Sequence, residues 1–200
     1  MSSDVQIAKL ALSHIGDHYD ISSLDESVVE AEIINLHFTD VRDATLRAHP
    51  WNFAKKYISP SSLVATTAVP VPGNWDYMYA YPADALWMRS IVDPLESNEP
   101  IRFEVAINAA DAKVILTDQE DAEFIYTMRV TDPVMFDPEF IMAFSYMLGA
   151  NAALALTGDG GISSQLEQKA RSLMVKAEVD DSNEGTEEEK PEASWIEARK

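Results

Sequence analysis

Glu26-Ser27-Val28-Val29-Glu30-Ala31-Glu32-Ile33-Ile34-Asn35-Leu36-His37-Phe38-Thr39-Asp40-Val41-Arg42-Asp43-Ala44-Thr45-Leu46-Arg47-Ala48-His49-Pro50-Trp51-Asn52-Phe53 is the stretch on which the reading of the fold turns. Ala31, Ile34, Phe38, Val41 and Thr45 recur at spacings of three, four, three and four, so they share one face of a helix. Glu32, Asp43 and Arg47 point elsewhere. Pro50 stops that helix: it has no N–H to continue the ladder, and it pushes its predecessor out of the α region. Trp51 and Phe53 follow at once, a bulky pair expected to lock the chain as it turns into a different kind of structure.

Working outward toward the N-terminus, Asp4 is expected to cap a first helix through Ile15, with Ile7, Leu10 and Ala11 inward and Gly16 closing it. Ser22 to Asp25 forms a loop, and Asp25 or Ser27 is the expected cap of the long helix. Working toward the C-terminus, the texture changes at Phe53. Pro60, Pro70, Pro72, Gly73 and Asn74 interrupt any helix. Trp75, Tyr77, Tyr79 and Tyr81 then alternate with Asp76, Met78 and Ala80, an aromatic stripe on one face of a strand. Such a stripe can stack bases or sugars, but in an acidic chain a packed sheet face or a surface against a neighbouring subunit fits better. Strand-like runs follow at 86–92, 101–107, 113–117 and 124–130, separated by prolines and acidic turns. They predict one antiparallel sheet of four or five strands inserted between helices.

Asp137-Pro138 opens a third helix, with Phe140, Phe144, Met147 or Leu148, Asn151 and Leu154 predicted as one stripe. Its many alanines and Gly149 allow neighbouring helices to come close. After Gly158-Asp159-Gly160-Gly161, Leu166, Ala170, Leu173 and Ala177 keep helical spacing in a fourth helix that fades near Asp180. The expected fold class is therefore α+β: an antiparallel four-helix bundle with an inserted antiparallel β-sheet extension and a flexible C-terminal tail. The expected parts are the first half of the bundle at 1–52, a β-rich insertion at 53–136, the second half of the bundle at 137–181 and an acidic arm at 182–200.

Composition narrows the function. Two hundred residues suffice for a real core, and the formal net charge of −19 repels nucleic acid and anionic membranes. With no cysteine there is no disulfide, thiolate metal site or cysteine nucleophile. No basic leader precedes an apolar run, so no signal peptide is expected. Phe140 to Gly158 is uncharged and long enough to span a bilayer. Its small and polar residues and its acidic flanks, Glu139 and Asp159, instead predict a buried helix and no membrane partner.

No phosphate-cradling glycine loop, zinc spacing or nucleophile motif occurs, and nothing implies a cofactor. His14 and His18 stand four apart, and with Asp17 and Asp20 they make the best metal candidate, a poor one beside a structural role for the histidines. On chemistry the chain reads as a structural or interaction protein, not an enzyme. From Asp180 to Lys200 eight acids face three bases, a composition that cannot fold alone. Near its end stand Trp195 and Ile196, an apolar pair suited to anchoring on a partner.

The order of pieces carries a resemblance. Leu12-Ser13-His14-Ile15-Gly16-Asp17 ends the first helix, and Ile21-Ser22-Ser23-Leu24-Asp25-Glu26 follows it. Arg42-Asp43 and the exit His49-Pro50-Trp51-Asn52-Phe53-Ala54 close the second helix, Tyr79-Ala80-Tyr81-Pro82-Ala83-Asp84 leads into a strand, and Asp137-Pro138-Glu139-Phe140 opens the third. Over about residues 9–180 this resembles the head-to-tail adaptor proteins of tailed bacteriophages, the tail tubular protein A group. In that family a helical bundle carries a β-rich extension, twelve copies form a ring under the portal, and the C-terminal segment reaches up along the portal. The resemblance implies a non-catalytic virion protein of the neck, made in the host bacterial cytoplasm. Its partners would be the portal protein, a nozzle-type tail protein and other copies of itself, with DNA passing through unbound. It makes Trp195 and Ile196 candidate portal contacts. It makes Arg42, Asp43, His49, Trp51, Phe53, Trp75, Tyr77, Tyr79 and Tyr81 candidate structural or subunit-contact residues. Another head or tail completion protein, or a small metal-dependent enzyme, remains as an alternative.

Overall fold

A computed structural model describes residues 3–16, 20–59, 69–94 and 99–184. It is mixed α and β: helices α1 (Asp4–His14), α2 (Val29–Ala48), α3 (Pro138–Thr157) and α4 (Gly160–Glu184), with six short strands between α2 and α3. The strands are β1 (Lys55–Ile58), β2 (Tyr77–Ala80), β3 (Ala85–Ile91), β4 (Phe103–Ile107), β5 (Lys113–Thr117) and β6 (Phe124–Met128).

The helix ends correct two expectations. Ser3, not Asp4, caps α1: its hydroxyl accepts from the Gln6 N–H while the Gln6 side chain accepts from the Ser3 N–H. This reciprocal pair satisfies two donors, which Asp4 inside the first turn cannot do. Gly16 follows α1 at φ +81°, as a closing glycine should. Neither Asp25 nor Ser27 caps α2; Val28 holds the cap position without a side-chain bond. Asp25 instead accepts from Asn35, and Glu26 accepts from the Ser22 N–H.

α3 is the helix against which α1, α2 and α4 all pack. By length and composition it would pass for a membrane span, yet half of its most apolar window is buried inside the fold. Phe140, Phe144 and Leu148 face inward as predicted. Asn151 and Leu154 do not: the inward face continues through Ala152 and Ala153, and Leu154 is 61 % exposed. Gly149 is where α1 comes closest, since a Cβ there would stand 2.9 Å from the Ala11 carbonyl oxygen. Only glycine accommodates that approach.

The single predicted sheet is two. One has the order β1-β6-β3 and the other β2-β5-β4, all pairs antiparallel. Tyr79 and Ile115 of the second sheet pack against Met88, Ile91, Phe124 and Tyr126 of the first, so the sheets share a core. Met78, Val114 and Leu116 on the opposite face of the second sheet are covered by Val69, Val71 and Trp75. β5 is thus buried on both faces, which explains four consecutive buried residues from Val114 to Thr117. β1 was not expected as a strand.

Candidate functional site at the joint of helices and sheets

Several of the residues that carried the resemblance, from the helix exit at 42–54, from Asp84 and from Phe140, meet where α2 hands over to the sheets. α2 ends in carbonyls that lack helical partners, and the Thr45 carbonyl takes the indole N–H of Trp51 at 3.0 Å. Trp51 is 1 % exposed, edge-on to His49 at 4.7 Å and to Phe140 of α3 at 5.3 Å. Phe53 and Phe136 meet the same Phe140 ring at 5.2 and 4.7 Å. The Trp51 carbonyl accepts from Arg89 Nη2 at 2.7 Å, while Arg89 Nε donates to Thr127 Oγ1 at 2.9 Å. One guanidinium therefore holds the helix exit to β3 and β6.

A second tie is ionic. Arg42 donates through Nε and Nη2 to Oδ1 of Asp43, and Arg129, just beyond β6, donates to Oδ2 at 2.7 Å. The Arg42 and Asp43 side chains are 10 % and 19 % exposed, so this carboxylate is a largely enclosed bridge from helix to sheet. Arg129 also donates its backbone N–H to the Asp84 carbonyl at 2.7 Å. The Asp84 carboxylate accepts from Tyr126 Oη at 2.9 Å and Lys56 Nζ at 2.8 Å. Burial pushes the Asp84 carboxyl up, but the hydrogen bonds from Lys56 and Tyr126 outweigh it and hold the group below its usual value. The same contact with Asp84 raises the Lys56 ammonium.

The structure thus brings Arg42, Asp43, His49, Trp51 and Phe53 together, with contacts inside the chain. The aromatic stripe lies apart. Tyr77, Tyr79 and Tyr81 join the core between the sheets, and Tyr79 Oη donates to the Gln119 carbonyl at 3.1 Å. Trp75 leaves the expected face and packs on the other side of the second sheet, with the Arg102 guanidinium 4.2 Å from its ring centre. Trp195 and Ile196 lie outside the described residues.

Lys56, Arg89, Tyr126 and Arg129 were missed by sequence reasoning. A basic residue in so acidic a chain is a weak signal, and its partner is invisible until the strands pair. Also missed was an open groove of about 500 Å³ between α2, α3 and α4, lined by Val41, Ala44, Ala48, Met147, Asn151 and Met174 among others.

Of the four candidate metal residues, His14 and Asp20 are described, and each has another partner. Ser145 Oγ donates to the Met142 carbonyl at 2.9 Å, so at 3.1 Å it accepts the Nε2–H of His14, whose ring stacks on Tyr146 with centroids 3.7 Å apart. Burial lowers the His14 pKa, favouring that neutral donor form. Asp20 pairs with Lys9; Asp17 and His18 lie outside the described residues. Among the described residues no group of three or more histidines and carboxylates could hold a metal. Compared with known proteins, the chain matches no family model and no curated sequence.

Proposed function

We propose that the chain is a head-to-tail adaptor of a tailed bacteriophage. It would form a ring, twelve-membered as in the family it resembles, between the portal and the tail, and line the DNA channel without catalysis. In this reading α1 to α4 form the helical bundle, and the strands form the β-rich extension inserted into it. The observation that carries it is the convergence just described. The helix exit at 42–54, Asp84 of the segment 79–84 and Phe140 at the start of α3, far apart in sequence, are among the parts that carry the resemblance. They build one joint through Asp43–Arg129, Arg129–Asp84 and Trp51–Phe140. A joint that fixes how the extension leaves the helices is what a ring needs, because every copy must present both parts at the same angle. The net charge of −19 suits a channel wall, since an acidic surface repels the phosphate backbone and lets DNA pass.

The test is sedimentation and negative-stain microscopy of the purified chain with the cognate portal protein. Rings bound to portal are expected on mixing. Removing residues 182–200, or replacing Trp195→Ala, should weaken attachment sharply, because a buried tryptophan anchor repeated around a ring acts through avidity. Failure of the full chain to bind portal at any salt concentration refutes the adaptor role.

A further inference from the structure

We infer that the groove between α2, α3 and α4 receives Trp195 of the chain's own C-terminal arm. Its floor is Met147 and Asn151 of α3, the first also packed against the core, and its walls include Val41, Ala44 and Ala48 of α2 and Met174 of α4. A second hollow of about 370 Å³ shares Met147 and Asn151 and runs on toward exposed Leu154, so the apolar strip continues past the first. A volume of about 500 Å³ lies within the range of small-ligand sites. Two methionines border it, and thioethers are adaptable partners for aromatic rings.

The polar lining comprises His37, Asp40, Thr45, Asn151 and Arg171, of which Asn151 has a fixed amide orientation. Its Nδ2 donates to the Met147 carbonyl at 2.8 Å. A carbonyl only accepts, so this bond fixes which end of the amide is which and turns Oδ1 outward as an acceptor. An indole has one N–H and no acceptor, the complement of that arrangement.

Chain length selects the occupant. α4 forms one wall at Met174 and is described as far as Glu184, a rise of about 15 Å beyond the groove. Trp195 is eleven residues further on, enough to span about 36–40 Å when extended. The arm can double back with slack. A tether of this length gives its tip an effective concentration in the millimolar range, so even a weak pocket is filled. Between Gly185 and Lys200 the large apolar side chains are Trp195 and its neighbour Ile196. This docking belongs to the free chain and does not rest on the adaptor role; where that role holds, portal and groove compete for one anchor.

The absence of native cysteine makes the test direct. Ala44→Cys, at an exposed groove position, is combined with Ser194→Cys in the full chain and oxidised at micromolar concentration. The expected product is a disulfide within one chain, formed at least about tenfold faster than in a Leu36→Cys/Ser194→Cys control on the outer surface of α2. Adding Trp195→Ala should abolish the advantage, and Asn151→Leu, at an exposed site, should reduce it severalfold. Thermal midpoints matched to the parent exclude unfolding as the cause. Equal rates at both positions, no loss with Trp195→Ala, or a disulfide formed mainly between chains each overturn the inference, the last by assigning the groove to a second copy.

Discussion

Replacing Trp51 tests whether the helix exit is the joint that its contacts describe. Phenylalanine retains an aromatic ring for His49 and Phe140 but removes the indole N–H bonded to the Thr45 carbonyl. Losing a net hydrogen bond costs about 1 kcal/mol, and leaving a buried acceptor without a partner brings the penalty to roughly 1–3 kcal/mol. The smaller ring leaves a void at a site 1 % exposed, which adds about 1 kcal/mol. Trp51→Phe should therefore destabilise by about 2–4 kcal/mol and Trp51→Ala by about 3–5 kcal/mol. In a chain of this size that corresponds to a fall in Tm of about 2–4 °C per kcal/mol. Urea unfolding followed by far-ultraviolet circular dichroism is the assay, because tryptophan emission changes with the substitution. The contact from Arg89 goes to the backbone carbonyl and survives in both variants. A Trp51→Phe protein within about 0.5 kcal/mol of the parent would mean the indole does not close α2, and the argument for the joint would fail at its centre.

Gly149→Ala pits local preference against packing. Alanine gains about 1 kcal/mol of helix propensity, but its Cβ would meet the Ala11 carbonyl oxygen at 2.9 Å, and such overpacking costs about 1–3 kcal/mol. The expected outcome is a net loss of about 1 kcal/mol in urea; a more stable variant would show that α1 yields freely. His14 should make stability depend on pH. Burial lowers its folded pKa below the ordinary histidine value, so the unfolded chain binds the proton more readily. Its contribution is complete above about pH 6.5 and is lost as pH falls through that value toward the lower folded one. His14→Gln should lose less stability than the parent between about pH 7.5 and about pH 5; an unchanged difference in urea midpoints would place the effect elsewhere.

How much of this was legible depends on the range of the interactions. α1, α2 and α4 could be read as helices because inward residues such as Ile34, Phe38 and Val41 repeat within one helix, although Leu10 of α1, expected inward, is exposed and Ala8 and Leu12 take the core beside Ile7 and Ala11. Tyr77, Tyr79 and Tyr81 were legible as a packed face for the same reason. The division into two sheets was not, because it depends on pairings remote in sequence. Lys55-Lys56-Tyr57-Ile58 is a poor strand by composition, and β6 makes it one by pairing Lys56 with Tyr126. Asp43 and Arg129 are 86 residues apart, and no local pattern marks them as a pair.

The division of α3 between core and groove shows where periodicity stops deciding. From Phe144 the helix offers two continuations: steps of four through Leu148 to Ala152, or steps of three and four through Met147 and Asn151 to Leu154. The second has the larger side chains, so hydropathy favours it. The fold takes the first, because α1 approaches at Gly149 and α4 packs with Leu166 and Ala170, and both need small residues on α3. Close approach on that side leaves Asn151 and Leu154 exposed and Met147 half-buried at the edge of the core. Met147, Asn151 and Leu154 are thereby left between α2 and α4, and the groove exists because alanines and a glycine, not the bulkier residues, set the helix spacing.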